Sequence, residues 1–126
     1  MVQVKNKYNA KKVVVDGIQF HSKAEAFYYK KMLKDQEAGL VKEFNMQKTY
    51  TLLDKFEHPK TGKAVRAIKY IADFEVIYPD GRVEVVDIKG FKTPIYRLKE
   101  KLFMFRYNIP IICLKYYARK NEFVEV

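Results

Sequence analysis

The segment Tyr70-Ile71-Ala72-Asp73-Phe74-Glu75-Val76-Ile77-Tyr78, then Pro79-Asp80-Gly81, then Arg82-Val83-Glu84-Val85-Val86-Asp87-Ile88-Lys89-Gly90, decides the fold. Two β-prone runs flank a Pro-Asp-Gly turn. Pro suits the second position of a type I turn and Gly the left-handed site that makes a bulge, so a three-residue hairpin loop is expected. Tyr78 then faces Arg82, Val76 faces Glu84, Phe74 faces Val86 and Asp73 faces Asp87. Alternation along the strands agrees. Ile71, Asp73, Glu75, Val85, Asp87 and Lys89 share one face. Ala72, Phe74, Val76, Val86 and Ile88 share the other, which is apolar and expected to sit on the core.

Outward from this hairpin, the chain alternates helical and strand patterns. Val13-Val14-Val15 and Ile18-Gln19-Phe20 flank Asp16-Gly17 and predict a small N-terminal hairpin. Ser22 opens a helix that runs to about Ala38 and stops at Gly39. Residues 41–54 are β-prone. The polar stretch from Asp54 to Lys63, with Pro59 and Gly62, reads as an exposed loop. Thr93-Pro94 starts a second helix, with Ile95, Leu98, Leu102 and Phe105 as its apolar stripe and Asn108 at its end. Ile109 to Tyr117 forms a last strand before a polar tail. After the hairpin the order is αβββαβ, an α/β domain with a mixed central sheet and a helix on each side.

The chain of 126 residues fits one domain with one core. Residues 1–12 are polar and basic and are expected to form an N-terminal arm. Lys plus Arg number 25 against 15 acids, a formal net charge of +10, which attracts polyanions, nucleic acid foremost. The alternative is that the excess lysine only keeps a Tyr-rich surface soluble. The single cysteine, Cys113, excludes an internal disulfide and reads as a small buried hydrophobe. No apolar stretch suits a signal peptide or a membrane span, so no membrane partner is expected and the location expected is cytoplasmic.

Directly opposed residues bring their Cβ atoms to roughly 4.5–5.5 Å, where like charges are destabilising. A divalent cation reverses that sign, because paired carboxylates suit a hard, oxygen-seeking ion such as Mg²⁺. Lys89, on the same face as Asp87, can offset charge, orient water or stabilise a developing charge on a phosphate. The competing reading of Asp73, Asp87 and Lys89 is a solvated salt-bridge patch, which gains nothing from opposed acids. Glu25 has two readings. Ser22-x-x-Glu25 is a capping-box pattern, and Glu25 also borders the buried face of its helix, where it could add an acid to the metal site.

Asp73, then Asp87-Ile88-Lys89 after a hairpin, with a helical Glu before and a basic helix after, resembles the PD-(D/E)xK nuclease superfamily. A closer resemblance is to a family of small phage and prophage proteins without an established function. It is carried by Lys7-Tyr8-Asn9, Asp16-Gly17-Ile18-Gln19-Phe20-His21-Ser22-Lys23-Ala24-Glu25-Ala26, Gln47, Ala72-Asp73-Phe74 and Asp87-Ile88-Lys89-Gly90. Ala72 stands where the superfamily's name has Pro. The resemblance implies a restriction-endonuclease-like domain over residues 13–126, in a bacterial host's cytoplasm. It further implies that Glu25, Asp73 and Asp87 share a metal ion, Mg²⁺ or Mn²⁺, and that Lys89 is the catalytic lysine. The activity implied is hydrolysis of DNA phosphodiesters by an endonuclease. Holliday-junction resolvases belong to the superfamily, so branched DNA lies in the implied substrate range. Dimerisation is likewise an expectation from resemblance, since one small domain nicks one strand at a time.

Lys23, Arg97, Lys99, Lys101 and Arg106 are the candidate nucleic-acid contacts, with Lys99 first because its helix starts just beyond Lys89-Gly90. His21 and His58 are isolated and support no zinc site. The alternative function is a non-catalytic nucleic-acid-binding protein that keeps the nuclease fold. A basic assembly protein that binds acidic partners is a third.

Overall fold

A computed structural model describes residues 12–126. The expected basic arm lies outside the described residues except for Lys12, as does Lys7-Tyr8-Asn9. The expected N-terminal hairpin is present as β1 (Val13–Val15) and β2 (Ile18–Phe20). Asp16 and Gly17 between them have φ of 53° and 77°, the left-handed pair that a two-residue type I′ turn requires. Ser22 caps helix α1 (Lys23–Glu37), its hydroxyl accepting from the Glu25 amide at 3.1 Å. Gly39, at φ 81°, ends it.

Next come β3 (Glu43–Leu53), β4 (Phe56–Glu57), β5 (Ala64–Val65), β6 (Ile68–Ile77) and β7 (Val83–Ile88). The stretch read as a loop is therefore in part a short β4–β5 hairpin. Its turn is held by the His58 imidazole, whose Nδ1 accepts from the Lys60 and Thr61 amides at 3.1 and 3.3 Å. Helix α2 (Pro94–Tyr107) follows, with Thr93 as N-cap and left-handed Asn108 (φ 59°) at its C-terminus. The chain closes with β8 (Ile111–Tyr117) and β9 (Glu122–Glu125). The expected polar tail thus supplies a fifth strand to the sheet.

The central sheet runs β3-β6-β7-β8-β9. Only β7 and β8 pair parallel. A parallel step needs a crossover, and α2 supplies it. On one face α1 buries Ala26, Tyr28, Tyr29 and Met32 with Phe74, Val76 and Val86. On the other, α2 buries Tyr96 and Phe103 with Ala72, Val85, Ile111 and Cys113. The domain is α/β with a helix on each side of a mixed sheet.

Two expectations fail in an instructive way. The face assignment places Ala72 with Phe74, yet Ala72 packs in the α2 cluster and Phe74 in the α1 cluster. Alternation is reset between them, beside Gln47 on β3, which has a left-handed φ of 55°. The second failure concerns α2. Its expected apolar stripe is mostly outward: Ile95 is 68% exposed, Leu98 56% and Phe105 91%. The helix instead packs through Tyr96, Phe103 and Tyr107, spaced by seven and four residues and so aligned on one face. Aromatic rings bury more area than branched aliphatics, and both hydroxyls find partners. Tyr96 Oη lies 2.8 Å from Cys113 Sγ, and Tyr107 Oη donates to the Thr51 carbonyl at 2.8 Å. Leu98→Ala should therefore change unfolding free energy by less than about 0.5 kcal/mol in a urea titration. A loss of about 2 kcal/mol or more would return Leu98 to the core.

Candidate metal centre

The loop Pro79-Asp80-Gly81 sets the register that the site depends on. Tyr78 N–H donates to the Arg82 carbonyl at 2.9 Å, and Gly81 adopts φ 90°. Val76 pairs with Glu84 and Phe74 with Val86, as expected. Beyond Phe74 and Val86 the backbone ladder stops. There Asp73 and Asp87 meet, and each carboxylate takes a backbone amide of the opposite strand. Asp87 Oδ1 accepts from the Asp73 amide at 3.1 Å, and Asp73 Oδ2 accepts from the Ile88 amide at 2.9 Å. The acids thus stand in for ladder hydrogen bonds where the strands part.

Around them the site is desolvated. Glu25, 8% exposed, and Asp87, 2% exposed, are the buried charged residues among those described. Carboxylates are seldom buried unless something pairs with them. The Asp73 carboxylate shares one cavity lining with Glu25 and another with Asp87. The cap of α1 is therefore one-sided: the Ser22 hydroxyl accepts from the Glu25 amide, while the Glu25 side chain neighbours Asp73. Asp87 Oδ2 accepts from Tyr70 Oη at 2.5 Å and sits 3.4 Å from Lys89 Nζ. Lys89 Nζ also lies 4.5 Å from the centre of the Tyr96 ring, within cation–π range.

These contacts set the ionisation of the acids. Burial foremost, then the charge of Asp73, pushes Asp87 up to about 6, against the opposing pull of Tyr70 and Lys89. Burial also raises Asp73; the Ile88 amide opposes that rise and the Glu25 charge adds to it. Burial foremost, then Asp87, holds the Tyr70 hydroxyl protonated, so it keeps a proton to donate to Asp87. Two acids that resist ionisation side by side are an arrangement a divalent cation would relieve.

Asp73 borders two cavities. One, of about 360 Å³, opens on the α2 side and is lined by Asp73, Asp87, Lys89, Lys69 and Lys99, with Ile71, Ile95, Tyr70 and Tyr96 as apolar wall. The other, of about 210 Å³, lies on the α1 side and includes His21, Glu25, Gln47 and Asp73. Asp73, Asp87, Lys89 and Lys99 thus share one cleft, with Glu25 behind Asp73. Lys23, Arg97 and Lys101 are exposed and lie outside that lining. Arg106 is engaged with Asp54 at 3.2 and 3.3 Å.

Among the described residues, no group of three or more His, Cys, Asp or Glu side chains forms a ready-made cage for a metal. A hard cation does not require one, because Mg²⁺ keeps several waters and takes one or two carboxylates. Asp73 and Asp87 fit that need. Sequence reasoning missed Tyr70, Tyr96 and Lys69. Tyr70 and Lys69 precede the point where the strand resets its faces, and Tyr96 lay off the stripe assigned to the core.

The fold and site define an α/β domain with a desolvated acid pair and a lysine at the mouth of its central hairpin. A family model described as "Protein of unknown function (DUF1064)" matches residues 5–122, and the chain belongs to that family. No curated protein matches it. No helix among the described residues is long and apolar enough to cross a membrane.

Proposed function

We propose that this protein is a divalent-metal-dependent nuclease that hydrolyses DNA phosphodiester bonds, within the PD-(D/E)xK superfamily that its motifs resemble. One observation carries the reading: a buried and a half-buried carboxylate, Asp87 and Asp73, converge where β6 and β7 part, with the Lys89 ammonium 3.4 Å from Asp87. Asp73 and Asp87 would hold the cation, Mg²⁺ or Mn²⁺, and Glu25 would act from behind Asp73. When bound, the ion would supply Lewis-acid polarisation of the phosphate and a more acidic water.

The chain's own groups have definite tasks in this reading. Tyr70 and the Asp73 amide fix the Asp87 carboxylate by donating to its two oxygens. Lys89, steadied between Asp87 and the Tyr96 ring, presents its ammonium to a non-bridging phosphate oxygen. Lys69 and Lys99 flank the cleft and attract the neighbouring phosphates. A net charge of +10 supports capture of the polyanion.

Incubation of labelled linear and branched DNA with Mg²⁺, Mn²⁺ or EDTA tests this directly. Cleavage is expected with either metal, absent in EDTA and lost in Asp73→Ala. Binding without cleavage in every metal would leave a DNA-binding protein that retains the fold and would sink the enzymatic reading.

A further inference from the structure

Helix α2 turns its aromatic side inward and leaves an apolar strip outside, which a protein of this size has no structural reason to expose. Ile95, Leu98 and Phe105 lie on one outer flank of the helix, and Phe91, 75% exposed, stands in the segment leading into it. From Ile95 to Phe105 the helix rises roughly 15 Å at 1.5 Å per residue. Exposed apolar side chains gathered on one flank, unlike singly scattered ones, are a candidate contact surface.

The strip has two neighbours that restrict its occupant. Arg97, Lys99 and Lys101 alternate with it along the helix and make no ion pair among the described residues. Glu100, the one acid on the helix, is bound to Lys92 at 3.6 Å. Pairing this face with a second copy would set two such cation rows against each other. An anionic occupant is favoured. The strip is also continuous with the catalytic cleft, since Ile95 and Lys99 line the same cavity as Asp73, Asp87 and Lys89.

An anion that also offers flat apolar groups to Phe91 and Phe105 is a nucleic-acid strand with unpaired bases. An intact duplex keeps its base faces stacked inside and offers only phosphates and groove edges. We infer that the outer face of α2, from Phe91 to Phe105, is a stacking platform for an unpaired DNA strand, and that the protein acts on DNA with a single-stranded segment at the cleavage site. The inference rests on the nuclease reading for the second clause; the platform itself does not.

Fluorescence anisotropy in EDTA separates the two. The probes are a labelled oligothymidylate and an oligonucleotide of the same length with abasic sites throughout, which carries the same charge without bases. Wild type is expected to bind the thymidylate about tenfold more tightly, and Phe91→Ala and Phe105→Ala to remove about that advantage while leaving the abasic probe unaffected. Equal affinity for the two probes, or variants that bind both like wild type, would overturn the platform. So would a wild-type dimer in sedimentation that Phe105→Ala dissociates, which would assign the face to a second copy. A stacking preference in a protein that cleaves nothing with Mg²⁺ or Mn²⁺ would keep the platform and sink the nuclease; cleavage without that preference would do the reverse.

Discussion

Lys89→Ala should lower the rate of metal-dependent DNA cleavage by roughly 10²–10³-fold, with little change in the KM for DNA. The expectation follows from where the ammonium stands. Lys89 Nζ lies 3.4 Å from Asp87 Oδ2 and 4.5 Å from the Tyr96 ring centre, at the inner end of the cleft. In the proposed reading a charge held there would act on the reacting phosphate, whereas Lys69 and Lys99 at the walls would act on binding. Lys99→Ala should accordingly raise KM more than it lowers kcat. Lys89→Arg should recover only part of the loss, because a planar guanidinium cannot reproduce a compact ammonium in the same pocket. Should Lys89→Ala cleave at the wild-type rate, the lysine is a counter-ion to Asp87 and nothing more.

Asp87→Asn should abolish cleavage and at the same time stabilise the metal-free protein at neutral pH. Burial and the Asp73 charge raise the Asp87 carboxyl from its ordinary value of 3.8 to about 6 in the folded state. A raised carboxyl contributes stability that is present in full below the unfolded value and is lost as pH rises through the folded one. The contribution therefore disappears between about pH 4 and pH 6, and above that range it stands as a penalty of up to about 3 kcal/mol. Asparagine has no proton to lose. Its carbonyl can still accept from the Asp73 amide, and its NH₂ can donate to Tyr70 Oη in place of the present bond. The gap between Asp87→Asn and wild type in EDTA should widen from pH 4.5 to pH 7.5, and Mg²⁺ should close it by favouring the ionised wild-type acid. A variant less stable than wild type at pH 7.5 would show that the buried carboxylate is held without strain.

Much of the scaffold was readable from local chemistry. Asp16-Gly17 specified a type I′ turn, Ser22 and Thr93 the starts of both helices, and Pro79-Asp80-Gly81 the pairing of Phe74 with Val86. That pairing is what sets Asp73 opposite Asp87. The remainder depended on non-local packing. Strand alternation assumes an unbroken pleat, and the left-handed Gln47 breaks it on the neighbouring strand, which moves Tyr70 and Ala72 to the α2 side. Tyr70 consequently reaches Asp87 from a position that alternation placed elsewhere. On α2, two apolar stripes competed, and only the positions of Cys113 and the Thr51 carbonyl decide for the tyrosine-bearing one. β9 was hidden because Glu122-Phe123-Val124-Glu125 is short and half charged, and β8 alone gives it a partner.

The most direct test of the central claim is anomalous diffraction from a crystal soaked in Mn²⁺. A peak is expected within coordination distance of both the Asp73 and the Asp87 carboxylates, and it should vanish in Asp73→Ala crystals grown the same way. Mn²⁺ absent from that position at millimolar concentration, or bound only elsewhere on the surface, would contradict the account.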